Sequence, residues 1–277
     1  MSQKSYPVLS LIFGKTMLDI AQRLASARIC GERVVFQKKE TPTTPVDAYR
    51  LQTQVLRLLG DASEAWKVGS TSPEAQAKLG TDQPGAARIP QKFRYFSGAE
   101  IPVFEAHDLW VEGEFAFRLG RDLPANHANY SMGEVIDAIE AVAPALEIVG
   151  SRIEGGLSES GRLLITADCG ANVALITGDW LNNWQDFDLP NHAVHICKNG
   201  QIVAEGRGSS AMGDPLLVMQ WIANHARTKD GLKQGEVVST GTCTGLTRVG
   251  AGDFLLGDFG AVGTLTANLL RDVAVSN

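Results

Sequence analysis

Several things are scarce in this chain, and each shortage removes a class of function. No apolar run approaches the roughly 20 residues that a membrane-spanning helix needs. No cluster of lysine and arginine stands out among 25 basic and 31 acidic residues, and the net charge is −6. Nucleic acid and membrane are therefore not expected as partners. The four cysteines (Cys30, Cys169, Cys197 and Cys243) are scattered, with no CxxC pair and no histidine at zinc spacing. They read as reduced thiols, which suits a cytoplasmic protein. The opening MSQKSYPVLSLIFGK has a short apolar patch without a small-residue cleavage signature, so no signal peptide is expected in it. HExxH, GxSxG and GxxxxGK[ST] are all missing. The five histidines show no pairing at ligand spacing, and no His-based triad can be assembled from them.

What is present divides the chain in two. Residues 1–64 read as a helical N-terminal segment. TMLDIAQRLASARI has apolar residues at helical spacing, and TPVDAYRLQTQVLRLLG opens with a Thr44 cap and Pro45 in the first turn. Residues 65–277 read as a β-dominated catalytic domain. WVEGEFAFRL, ALEIV, NVALIT, AVHICK, QIVAEG, EVVST, DFLLGDF and VGTLTANLL are strand-like, and Asn199-Gly200 is a hairpin turn. A short helix is expected after Ser72-Pro73. Two more are expected over SMGEVIDAIEAVA, which opens with a Ser131/Glu134 capping box, and over GDPLLVMQWIANHA.

One stretch imitates a dinucleotide fingerprint: Gly206-Arg207-Gly208-Ser209-Ser210-Ala211 fits GxGxxA. That function requires a parallel strand inside a βαβ unit. Here the strand is the second arm of the Asn199-Gly200 hairpin and is expected to run antiparallel, so no dinucleotide is expected.

The chemistry concentrates in LWVEGEFAFRL. Alternation places Phe115 and Phe117 on one face and Glu112, Glu114 and Ala116 on the other. A third carboxylate, Glu147, sits in the apolar run APALEIVGSR, where burial is costly without a partner. Three carboxylates on two strands, completed by water, suit Mg2+ or Mn2+. The competing reading is a solvated face for Glu112 and Glu114, with Glu147 paired to Arg152. Two further elements could hold a substrate carboxylate. Lys67 lies between apolar neighbours and precedes the turn Gly69-Ser70-Thr71-Ser72, which opens a helix with free amides. STGTCTG offers small residues and the hydroxyls of Thr240 and Thr242; a plain tight turn explains its glycines equally well.

Taken together, AYRLQ, WKVGSTSPEAQAKLG, VEGEFAFRLGRDLP, ALEIVGSRI, GRGSSAMGDP and STGTCTG with AGDFLLGDFGAVGTL resemble the fumarylacetoacetate hydrolase superfamily. The likeness is specifically to its 2-oxopent-4-enoate hydratase and 4-oxalocrotonate decarboxylase branch. The resemblance runs from about residue 15 to near the C-terminus, with the motifs in order. It implies an α+β fold, a mixed β-roll with a helical N-terminal layer and flanking helices, assembled as a homo-oligomer. It also implies that Glu112, Glu114 and Glu147 are the ligands of a Mg2+ or Mn2+ ion and that Lys67 is the active-site lysine.

The implied activity is hydration of a 2-hydroxy-2,4-dienoate to a 4-hydroxy-2-oxo acid in aromatic-compound catabolism. Decarboxylation of a 2-oxo-enedioate, C–C bond hydrolysis and an inactive partner subunit are the alternatives. Two departures bear on the reaction. No acid lies between Asp82 and Glu100, where the hydratases carry an aspartate, and Asp168-Cys169-Gly170-Ala171 stands where they read Asp-Asn-Ala-Ser. The residues around the substrate tail are expected from the loop 88–100.

Overall fold

The computed structural model describes residues 8–37, 40–60 and 63–272. Among the described residues, thirteen strands form two sheets. The larger contains β1 (Ala65–Gly69), β2 (Gly85–Ile89), β3 (Arg94–Phe96), β5 (Trp110–Leu119), β6 (Ile139–Val149), β7 (Asn172–Thr177), β10 (Val237–Ser239) and β11 (Thr247–Arg248). Its order is β2-β1-β10-β5-β6-β7-β3, with β11 also pairing with β5. The smaller joins β4 (Ala99–Val103), β8 (Ala193–Lys198), β9 (Gln201–Arg207), β12 (Phe254–Asp258) and β13 (Thr264–Arg271), in the order β4-β13-β12-β8-β9. Parallel and antiparallel pairings mix, as the β-roll expectation requires.

The two sheets bury one apolar layer between them. Phe115, Phe117, Leu146 and Ile148 of the large sheet meet Leu255, Leu265 and Phe259 from the smaller one and its connections. Because strand side chains alternate, this leaves Glu112, Glu114 and Glu147 on the opposite face of the large sheet.

Helices cover that opposite side. α1 (Val8–Cys30) presents Ile20, Ala21 and Leu24, and α2 (Pro45–Leu58) presents Leu51 and Val55. Both pack with Leu164 and Ala167 of α5 (Gly156–Ala167). α2 starts where its sequence says it should, with the Thr44 hydroxyl accepting from the Asp47 amide and Pro45 in the first turn. α3 (Pro73–Lys78) is capped in the same way by Ser72, whose hydroxyl accepts from Ala75 N. α6 (Pro215–Ala226) carries Asp214 as its cap and buries Val218, Met219 and Ile222.

Two expectations need correction. The helix read over 131–143 stops after one turn: α4 is Met132–Ile136, and from Ile139 the chain is already β6. Ser131 and Glu134 do form the capping box. The following Ile-Glu-Ala-Val-Ala stretch, however, lies between β5 and β7, where ladder pairing outweighs its helical propensity. Residues 88–100, read as a loop, contain the end of β2, all of β3 and the start of β4. The hairpin at Asn199-Gly200 forms with positive φ at both residues (53° and 82°). β9 is antiparallel to β8, so the GxGxxA stretch lacks the geometry of a dinucleotide site.

Candidate active site

The register of β5 and β6 assembles the acidic cluster. Glu112 is directly opposite Glu147, and Glu114 is two residues further along the same face. Ligand oxygens of all three lie within 4.8 Å of one another. Glu114 and Glu147 are buried, and Glu112 opens onto a cavity of about 600 Å3.

Lys67 completes the cluster from β1. Two strands, β10 and β5, separate β1 from β6, which in a flat sheet is roughly 14 Å. The two long side chains span that backbone separation, and Lys67 Nζ comes to 2.9 Å from Glu147 Oε2. It also donates to Gly170 O at 3.1 Å. Gly170 has φ 66°, and a Cβ there would stand 2.8 Å from Lys67 Cδ. Glycine is therefore needed both for the backbone and for the lysine stem.

Each carboxylate is held in place. Glu114 accepts from the Ser239 hydroxyl and, at 2.9 Å, from Gly241 N. Glu147 Oε1 accepts from Asn172 Nδ2 at 2.8 Å. Glu112 is met by the Thr242 hydroxyl. Three carboxylates against one ammonium leave a deficit of positive charge. Burial, then repulsion by Glu147, pushes Glu112 up to about 7 despite Lys67 nearby. Burial and its two carboxylate neighbours drive Glu114 well above the usual range. For Lys67 burial favours the neutral amine, but Glu147, Glu112 and Glu114 outweigh it and raise the pKa.

The remaining sequence candidates separate. Gly69 and Ser70 line the cavity. Thr71 is buried with its carbonyl bonded to Met212 N, and the Ser72 hydroxyl is used as the α3 cap. The Thr240 hydroxyl donates to Phe115 O at 2.9 Å inside the core. Residues 239–242 thus cradle the carboxylates of β5. Glu147 is not paired with Arg152: that arginine binds Asp168, through Nε at 2.9 Å from Oδ2, and both are buried.

The expected tail residues of loop 88–100 are absent from the cavity wall. The wall comes instead from α3 and α5, including Lys78, Leu79, Leu157, Arg162 and Ile165. Ala171 lines the cavity with a methyl group where the resemblance implies a hydroxyl. Apart from Glu112, the acid on the wall is Asp108, and it is paired with Arg248 at 2.6 Å.

Comparison with known proteins gives this geometry its setting. The fumarylacetoacetate (FAA) hydrolase C-terminal family matches residues 73–270. The chain belongs to this family. It is 29% identical over 252 residues to a 2-keto-4-pentenoate hydratase of Paraburkholderia xenovorans (strain LB400), covering 89% of this chain and 92% of that protein. It is 31% identical over 217 residues to a 2-hydroxyhexa-2,4-dienoate hydratase of Comamonas testosteroni, covering 76% and 80% of the two chains. Its fold matches that of 4-oxalocrotonate decarboxylase from Pseudomonas putida G7, complexed with magnesium and adipate. The TM-score is 0.83 at 24% identity, over 92% of this chain and 98% of that one. Among the described residues, no helix is long and apolar enough to cross a membrane.

Proposed function

We propose that this member of the family is a divalent-metal-dependent lyase that hydrates a 2-hydroxy-2,4-dienoate of the 2-oxopent-4-enoate type to a 4-hydroxy-2-oxo acid. The observation that carries the proposal is the convergence of Glu112, Glu114 and Glu147 beside a cavity, with Lys67 Nζ 2.9 Å from Glu147. The likeness to hydratases over most of the chain points the same way.

The donor set fits the ion. Oxygen-only ligands suit Mg2+ or Mn2+, and burial with mutual repulsion raises the pKa values of Glu112 and Glu114, a crowding of negative charge that a dication would offset. Glu112, Glu114 and Glu147 would hold it. When bound, it supplies Lewis-acid polarisation of the substrate's 2-oxo acid head.

The chain's own groups do the rest. Lys67, kept protonated by its neighbours, places positive charge beside the oxygen on which the enolate develops. Its bonds to Glu147 and Gly170 fix the direction of that charge. In the overall reaction C5 gains a proton as the dienol ketonises, and water then adds as hydroxyl at C4 and hydrogen at C3. The side-chain-free surface at Gly69, with Ser70 beside it, leaves room for the flat dienoate against β1.

Decarboxylation of a 2-oxo-enedioate is the second reading, favoured by Lys78 and Arg162 in the cavity wall. An anaerobic assay supplemented with Mg2+ separates the two, using fresh 2-hydroxypenta-2,4-dienoate and 2-oxohex-3-enedioate. Dienol loss is followed by absorbance and the products by mass. Water addition that vanishes in Glu114→Ala supports the hydratase, and CO2 release transfers the assignment to the decarboxylase. Inertness toward both, with metal bound, overturns the proposal.

A further inference from the structure

Asp108 is held on the cavity wall at some cost. Its backbone is left-handed, with φ 54° and ψ 73°, a region that aspartate tolerates better than most residues but still enters under strain. Two residues later Trp110 begins β5. Asp108 Oδ1 accepts from Arg248 Nη2 at 2.6 Å. Arg248 is fixed in turn: it stands opposite Trp110 in the β11–β5 ladder, with its guanidinium 4.8 Å from the Trp110 ring centroid. An ion pair this open to solvent adds little stability, so the pair does not by itself account for the strained backbone.

The second oxygen of Asp108 is uncommitted. Among the described residues no hydrogen bond reaches Oδ2, and its neighbour is Gly156, where a Cβ would stand 3.2 Å away. Glycine at the start of α5 therefore leaves Oδ2 clear. Asp108, Trp110 and Glu112 all line the one cavity. Four residues of extended chain span at most about 13–14 Å, so the backbones of Asp108 and Glu112 stand no further apart than that. A five-carbon acid and one water fit between the two carboxylates.

The hydration proposed for this site needs a base there, because water that becomes the hydroxyl at C4 must give up a proton. The other groups on the wall are unsuited. Lys67 is kept protonated by its three carboxylates. Lys78 and Arg162 carry positive charge and accept no proton. Arg162 follows the break in α5 at Gly161 (φ 68°), lies over Gly85 so that a Cβ there would stand 2.8 Å from a terminal nitrogen, and is tied to Gln83 O and Pro84 O. Ser158 and Thr166 offer only hydroxyls, which donate to Gly155 O and Arg162 O. Among the described residues no histidine, tyrosine or cysteine lines the cavity, and Glu112 belongs to the acidic cluster.

We propose that Asp108 is the general base of the hydration step, its free Oδ2 taking a proton from the water that attacks C4, with Arg248 as the positioning residue on Oδ1. This rests on the hydratase reading of the site. As the bond from water oxygen to C4 forms, the C3=C4 pair shifts to C2–C3 and the C2 carbonyl pair moves onto its oxygen, beside Lys67. When that carbonyl re-forms, C3 takes the proton from Asp108. The carboxylate is regenerated, and the sum is one water added.

The test separates hydration from the ketonisation that precedes it. The full chain with Mg2+ is given 2-hydroxypenta-2,4-dienoate, and proton NMR follows the unhydrated ketone, 2-oxopent-3-enoate, against the 4-hydroxy-2-oxo acid. Asp108→Asn is expected to raise the ratio of ketone to hydroxy acid at least about 100-fold. Asp108→Glu, which restores a carboxylate, should raise it less, and Arg248→Gln should raise it by about tenfold. Calorimetry should find the Mg2+ affinity of all three variants within about threefold of wild type, since none of them alters a glutamate of the cluster.

A ratio in Asp108→Asn within about threefold of wild type overturns the proposal. So does a loss of dienol consumption and of Mg2+ affinity in step with the hydroxy acid, which is the mark of a purely structural role. If Asp108→Asn does not fold, an unmoved ratio in both Asp108→Glu and Arg248→Gln overturns it instead. Wild-type protein that hydrates nothing sinks the hydratase reading and this proposal together, whereas hydration that survives in Asp108→Asn sinks the proposal alone.

Discussion

Two buried clusters of charge lie back to back in this molecule, and they are unbalanced in opposite senses. On the cavity side, Glu112, Glu114 and Glu147 face one ammonium, that of Lys67. Behind them, Arg28 and Arg152 share one carboxylate, Asp168. Asn172 touches both: its side chain donates to Glu147, and its carbonyl accepts from Arg28 at 2.7 Å and Arg152 at 3.1 Å.

The basic cluster meets its surplus with fixed dipoles and a ring. Arg152 donates to Asp168 O and Asn172 O, and the Arg28 guanidinium lies 4.9 Å from the centroid of Phe93. Burial and the neighbouring Arg152 lower Arg28 to about 10. The acidic cluster also receives fixed donors, from Ser239, Gly241, Asn172 and Thr242, yet Glu112 and Glu114 stay raised and the cluster opens onto a cavity. An imbalance sealed in the core is structural, whereas one facing a cavity is a request for a ligand.

The comparison breaks most visibly at Glu147. Replacing it with Gln removes one ligand and the ion-pair partner of Lys67. Metal-dependent turnover is expected to fall about 1,000-fold, equivalent to about 4 kcal/mol, with folding retained by circular dichroism. If turnover persists within tenfold, the acidic cluster is not the catalytic centre.

Asp168→Asn tests the other side. It leaves two buried arginines with no carboxylate, and the expected loss is about 3–4 kcal/mol of stability in urea titrations with or without metal. Glu114→Gln should behave oppositely in metal-free protein, because it relieves repulsion and keeps an acceptor for Ser239 and Gly241. Its melting temperature should equal or exceed that of the wild type. Similar losses in both variants would erase the distinction between the clusters.

How far the sequence foretold this depends on whether a feature is local. The alternation of Glu112 and Glu114 against Phe115 and Phe117 follows from a period of two, and the structure keeps it. The antiparallel sense of β9 followed from the two residues at its turn. β6 was harder, because Ala141 to Val149 are buried on both faces and show no alternation to distinguish strand from helix. The pairing of Arg152 could not be read from spacing: Glu147 is five residues away, but a strand end intervenes and Asp168 returns from α5. Arg162 was missed because its place over Gly85 depends on the break at Gly161 and on the packing of α5 against β2. A glycine after Ser-Glu-Ser in an amphipathic run was the one local sign.

Acid sharpens the comparison on the basic side. His107 is buried, its ring bonded to Glu32 O, and burial with Arg152 and Arg28 lowers it to about 3. Its folded pKa lies below the ordinary value near 6.5, so the neutral ring is the form the fold accepts. The stability it contributes is complete above pH 6.5 and is lost as pH falls from there toward 3. The expected share is on the order of 2–3 kcal/mol, read as the difference between wild type and His107→Gln in urea midpoints at pH 7 and pH 4. Parallel pH profiles would mean that the histidine does not report on the arginines.

The smallest expected effect falls on the residue that joins the two clusters. Asn172→Ala removes the donor to Glu147 Oε1 but keeps the backbone carbonyl that Arg28 and Arg152 use. If orientation of Glu147 is its role, affinity for Mg2+ or Mn2+ should weaken by 10- to 100-fold, about 1.4–2.7 kcal/mol. Asn172→Ser, which restores a donor at shorter reach, should recover part of this. A loss confined to metal affinity, with urea stability of the metal-free protein within about 1 kcal/mol of wild type, would show that the side chain serves the acidic cluster alone. A loss of stability without a change in affinity would place Asn172 with the arginines, and the boundary between the clusters would then run between Glu147 and Asn172.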